Sequence, residues 1–180
     1  MRRGLKVPLI TQYFNLVLKA PAGSSVITPA TTLVAAGASE AQVLRALGLD
    51  ANTDLKTFNP FAAGVNASAA LAYEKAAVQV FSTISAIASA AEGAGAGSAT
   101  AYNKAFEALT EKVTQAANSN SSLNLSSASV IQDIASSTQT KLGSSITNTS
   151  AFNTAAAQVS TAVANVNAAV SQLTNLSSDD

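Results

Sequence analysis

The stretch APAGSSVITPATTLVAAGASEAQVLRALGL, Ala20 to Leu49, is where an apolar, β-leaning opening gives way to a chain that reads as helix almost to its end. Pro21 and Gly23 break the extended pattern before it. Thr28-Pro29 then marks a helix start. A threonine hydroxyl accepts from the free amide protons of a first turn, and proline there lacks only a donor that has no helical partner anyway. The helix is expected to run through Leu33 to about Ala36 and to stop at Gly37. Ser39-Glu40-Ala41-Gln42 is a capping-box pattern that opens a second short helix, with Val43, Leu44 and Leu47 facing inward and Gly48 ending it.

Downstream, Asp50 to Gly64 reads as a loop containing Pro60, with Leu55, Phe58 and Phe61 folding back onto the core. Longer helices follow. Asn66 to about Ala91 places Ala77, Phe81, Ile84, Ala88 and Ala91 at steps of four and three. Gly93 to Gly97 breaks that helix, and Ser98 to about Ala117 repeats the rhythm with Tyr102, Phe106, Leu109, Val113 and Ala116. A polar loop, Asn118 to Ser122, leads to a weaker helix from about Ala128 to Leu142, with Ile131, Ile134 and Leu142 on one side. The last helix, Ser150 to about Leu176, is the most regular. Phe152, Val159, Val166 and Leu173 recur every seven residues, and Ala156, Val163 and Val170 fill the alternate seam. Charged residues that would choose a coiled-coil partner are missing beside this seam, so it is expected to pack into its own bundle as the central element.

Upstream, Lys6 to Leu18 is rich in β-formers and reads as one or two short strands. Met1-Arg2-Arg3, an apolar run and Ala20-Pro21-Ala22 give this end the outline of a signal peptide. Gln12, Asn15 and Lys19 interrupt the apolar core that such a peptide needs. The reading taken is the start of a fragment or the tail of a preceding module. The expected fold is all-α: an Ala-rich bundle of four to six helices over residues 26–178, behind an extended or β lead-in over residues 1–25.

Composition narrows the function. Ten basic and ten acidic residues balance, and only 11% of the chain is charged, so nothing attracts nucleic acid or an acidic membrane surface. No apolar run approaches the roughly 18 residues a membrane helix needs, so no span is expected. Alanine supplies about a fifth of the chain, well above ordinary usage. Each alanine buries little area, which predicts a thin core and a marginal bundle that a neighbouring module would stabilise. The polar face is built from Ser, Thr, Asn and Gln, a covering associated with secreted and surface proteins. With no Cys and no His, the chain lacks disulfides, the usual zinc ligands, the Ser-His and Cys-His nucleophile pairs, and the commonest base near neutral pH. No enzyme and no cofactor are expected.

Candidate sites are few. Asp50, Asn52 and Asp54 have the spacing that begins a calcium loop, but the sixth and twelfth places hold Leu55 and Phe61 instead of Gly and a bidentate Glu. Metal binding there is expected to be weak or absent. Glu107 and Glu111 lie one turn apart, yet Lys104 and Lys112 sit beside them on the face opposite Phe106 and Leu109, which reads as a solvated charged face. Gly93 to Gly97 carries no Lys and follows no strand, so it is a turn rather than a phosphate loop. Asn66, Asn120, Asn124, Asn148 and Asn175 each begin an N-x-S/T triplet, which matters only in a eukaryotic secretory pathway. Thr147, Thr149, Thr154 and Thr161 do not make the flat array that ice binding requires.

Val26-Ile27-Thr28-Pro29-Ala30-Thr31-Thr32-Leu33, preceded by Leu18 to Ser24, resembles a segment of very large, repeat-rich secreted bacterial proteins of the RTX-type and cadherin-containing, adhesin-like kind. In those proteins a V/I-T/S-P-L-T-T-L string opens a small helical module after a β-rich one. Ala46-Leu47-Gly48-Leu49 and Asp54 to Pro60 resemble the strings that follow, with Ala30 in place of Leu and Asn59 in place of Asp, and with a shortened first helix pair. The resemblance covers about Leu16 to Pro60 and brings no catalytic residue. It implies an extracellular or surface location, a multi-module bacterial parent, and neighbouring modules that often bind calcium. The expected function is therefore a non-enzymatic structural or spacer domain of such a protein, with neighbouring modules as its partners. The alternative is a helical partner-binding or self-associating module acting through Phe152, Val159, Val163, Val166, Val170 and Leu173.

Overall fold

A computed structural model describes residues 18–175, and the expected strands and leader-like run of Lys6 to Val17 lie outside them. Among the described residues the chain is all-helical: α1 (Pro29–Ala35), α2 (Glu40–Ala46), α3 (Ala67–Gly93), α4 (Ser98–Asn118), α5 (Ala128–Leu142) and α6 (Thr149–Ser171), with a 3-10 turn at Gly143–Ser145. No described helix is long and apolar enough to cross a membrane.

The helix starts follow local chemistry. At α1 the Thr28 hydroxyl accepts from Thr31 N, and Thr28 N donates back to the Thr31 hydroxyl. At α2, Ser39 and Gln42 make the same reciprocal pair. Asn66 and Asn148 cap α3 and α6 through Ala69 N and Ala151 N. Four orphan amides begin every helix, and a side-chain acceptor that satisfies one is what fixes these starts. At the other end of α1, Gly37 N and Ala38 N return to Val34 O and Leu33 O, with Gly37 at φ 115°, a left-handed conformation natural to glycine.

Helices α3 and α4 form the hub: α4 packs on α1, α2, α3 and α5, and α3 on α1, α4, α5 and α6, whereas α6 touches α3 and α5 only. The buried cluster runs continuously from Leu33, Val43 and Leu55 through Val80, Ile84 and Ile87 to Leu109, Val113, Ile131, Ile134 and Phe152. Helix α6 lies antiparallel to α3. Thr147 N and Asn148 N donate to Ala94 O at the C-terminal end of α3, and Lys75 near the other end of α3 donates to Ser171 O. Gly95 sits at the tightest point: a Cβ there would meet the Thr147 hydroxyl at 2.3 Å, and its φ is 103°.

Four sequence expectations need correction. Helix α6 is not the central packing element, because it lies at the edge of the bundle. Its heptad divides: Phe152, Ala156 and Val163 are buried, Val159 and Val170 half-buried, Val166 52% exposed, and Leu173, also 52% exposed, lies beyond the helix, which ends at Ser171 rather than near Leu176. On α3, Ile84, Ala88 and Ala91 are buried as expected, but Tyr73, Ala76, Val80 and Ile87 complete the core face while Phe81 turns outward and Ala77 is half-buried. With alanine at so many positions, two adjacent registers of that helix are equally apolar, and packing chose between them. Leu55 is buried and Phe58 rests on Tyr73 at 4.9 Å between rings, but Phe61 does not fold back and is 74% exposed.

Candidate functional site

The residues of the Val26 to Leu33 string form a junction. Backbone N–H of Lys19 donates to the Thr32 hydroxyl at 2.9 Å, and the hydroxyls of Thr31 and Thr32 donate to Lys19 O at 3.1 and 3.0 Å. Thr28 Oγ1 lies 2.8 Å from Tyr73 Oη on α3. Thr31 and Thr32 are themselves buried in the first turn of α1. The incoming chain is thereby held to α1, and α1 to α3, through hydroxyls. Burial pushes the Tyr73 phenol up from its ordinary value of 10.0; the Thr28 bond opposes this and the Glu74 charge adds to it. Partial burial likewise raises the Glu74 carboxyl above 4.5.

Beside this junction, a cleft of about 420 Å³ lies between the incoming chain, α1 and α4, lined by Lys19, Thr32, Thr100, Asn103, Lys104 and Glu107 among others. Its charges are engaged locally. Lys104 Nζ donates to both Glu107 oxygens at 2.9 Å, and Lys19 Nζ reaches Asn103 Oδ1 at 3.4 Å. Glu111, the other acid of the suspected pair, bonds Lys141 across to α5 rather than joining Glu107.

The triplet of Asp50, Asn52 and Asp54 is built as two local turns. Asp50 Oδ1 accepts from Asn52 N and Nδ2, and Asp54 accepts from Lys56 N and the Thr57 hydroxyl. Such bonds from Asp to the backbone two residues on shape turns. The carboxylate oxygens point into their own loop, and among the described residues no three acids converge on one point.

Sequence reading missed the polar cluster where α3, α6 and the α4–α5 loop meet. Asn167 is fully buried. Its Nδ2 donates to Leu125 O at 2.7 Å and to Thr83 Oγ1 at 3.2 Å, and its Oδ1 accepts from Ser82 at 2.7 Å. Around it, Gln79 Nε2 donates to Asn167 O and Ser171 Oγ. Lower on α6, Ser160 is buried and donates to Gln132 of α5. The available signal was positional: Ala156, Ser160, Val163 and Asn167 recur at steps of four, three and four, the same period as the apolar seam.

No family model matches this chain, and no curated protein or solved structure matches it.

Proposed function

We propose that this chain is a non-enzymatic structural or spacer module of a large secreted or cell-surface bacterial protein of the adhesin-like kind. What supports the reading is how the chain spends its polar side chains. The hydroxyls of the Val26 to Leu33 string tie the entering chain to α1 and α3, as a junction between modules requires. The acids of α4 are taken up in ion pairs at the surface. Cells of the source organism, probed intact with antibodies to the purified chain and then after protease shaving, test it. Labelling of intact cells that shaving removes is the expected result; labelling only after lysis overturns the surface assignment.

A second reading, a partner-binding module acting through α6, draws on a different observation. The half of the α6 heptad that leaves the core stands exposed at Val166 and Leu173.

A further inference from the structure

We propose that α6 is a hinged strap: turning on Gly143, it leaves its slot, which then takes α6 of a second copy of this chain. The exchange uses the buried face of α6 rather than its exposed side at Val166, and it needs neither a surface location nor a larger parent protein.

The hinge comes first. Gly143 closes α5 with φ 50° and ψ −123°, a conformation that residues with a side chain rarely adopt. A Cβ there would meet nothing within 4 Å, so backbone conformation rather than space calls for glycine. No proline lies between Gly143 and Thr149, so the connection is free to become helical. Thr147 N and Asn148 N now donate to Ala94 O. With Gly143 in a helical conformation they would find Gly143 O and Ser144 O one turn back instead. Straightening therefore strands no amide of the hinge. It joins α5 and α6 into one helix of about 66 Å at 1.5 Å per residue.

The slot selects its occupant. What α6 would leave behind is not a plain apolar groove. Leu125 O, the Ser82 and Thr83 hydroxyls and the Gln132 amide stand along it, and Asn167 and Ser160 of α6 bond to them. Both α6 residues are buried, so each depends on these partners. A different helix laid in the slot would cover the same polar groups unpaired, which is unfavourable wherever they are shut away from water. A second α6 in the same register pairs them all, and a second copy of the chain supplies one.

The attachment permits the exchange. Among the described residues α6 packs on α3 and α5 alone and bonds to the loop between α4 and α5. Its buried apolar side chains are only Phe152, Ala156, Val163 and Ala164, so a core of larger aliphatics stays on the other helices when it leaves. The closed chain and the exchanged pair make the same α6 contacts, so hinge conformation and concentration set the balance between them.

The chain has no Cys, so single introduced thiols report where α6 lies. Gln79 Nε2 on α3 is 2.8 Å from Ser171 Oγ at the end of α6. Chains carrying Gln79→Cys are mixed at high concentration with chains carrying Ser171→Cys, in urea just below the unfolding midpoint. After dilution into buffer they are treated with a short bis-maleimide. The expected product is a covalent pair with one chain of each kind, and none from either kind alone. Gly143→Ala should raise the yield about tenfold, because alanine resists the closed hinge. A Gly-Ser loop inserted after Ser144 should lower it about tenfold, because slack lets α6 fold back on its own chain. Absence of the mixed pair with the native hinge overturns the exchange. A mixed pair whose yield ignores the lengthened hinge reports side-by-side association and overturns it as well, whether or not Gly143→Ala folds.

Discussion

Helices α4 and α6 carry the same apolar rhythm, yet only one of them buries it as written. In α4, Tyr102, Phe106, Leu109 and Val113 are all buried and Lys104, Glu107, Glu111 and Lys112 stand on the other side. In α6 the rhythm is as regular, but Val166 is exposed while Asn167 and Ser160 lie inside. The charges of α4 mark its solvent face unambiguously, because no burial of four such groups is affordable without partners. With no charge to orient it, α6 takes the orientation set by its hydrogen bonds to α3 and the α4–α5 loop. An unmarked helix takes its orientation from its neighbours.

The comparison is open to perturbation, most strongly at the hub. Leu109→Ala removes a fully buried side chain from the helix that touches α1, α2, α3 and α5. It should cost about 3 kcal/mol, within the usual 2–5 for such truncations, read as a fall in the urea midpoint at unchanged slope. A loss below about 1 kcal/mol would show that α4 is not part of the hub.

Asn167→Ala removes the donor to Leu125 O and the Thr83 hydroxyl, while Ser82 keeps its bond to Gln79 O. The expected loss is about 2 kcal/mol, with faster amide exchange concentrated in α6 and Leu123 to Ser126. Equal protection changes throughout α4 would contradict the division between the two helices.

Val166→Ser, on the exposed stripe, should alter monomer stability by less than about 0.5 kcal/mol, whereas Val113→Ser on α4, at a fully buried site, should cost several times more. Comparable losses at the two valines would mean that the α6 heptad is core after all.

The smallest effect lies on α3, which supports both helices. Folding raises the Glu74 carboxyl above 4.5, so the folded state holds its proton more tightly than the unfolded one. Stability attributable to this group is therefore full below pH 4.5 and declines as pH rises through the raised folded value. Glu74→Gln should melt slightly above the parent chain at pH 7, the gap closing toward pH 4; a gap independent of pH would falsify the assignment to ionisation.

The legible parts of this fold share a cause. Thr28 and Ser39 sit where the sequence places them as caps because capping is decided within three residues of chain. The boundaries of α5 at Ala128 and Leu142 also fall where the sequence places them. The burial of Val43, Leu44, Leu55 and Leu109 was also legible, since large aliphatics have one good destination. Phe61 and Phe81 were misplaced because each has apolar neighbours in the sequence, and an alanine-rich helix offers more apolar surface than the core can cover.

Sequence alone determined that the described residues are all-helical, where their helices begin, where all but α6 stop, and which outer faces are fixed by charge. Caps, breakers and ion hydration act over a few residues and need no tertiary partner. Only the tertiary structure decided that α3 and α4 rather than α6 form the hub and that Asn167 belongs inside. It also decided that half of the most regular heptad faces outward, because an alanine helix without charges has no preferred inside until its neighbours present hydrogen-bonding groups to it.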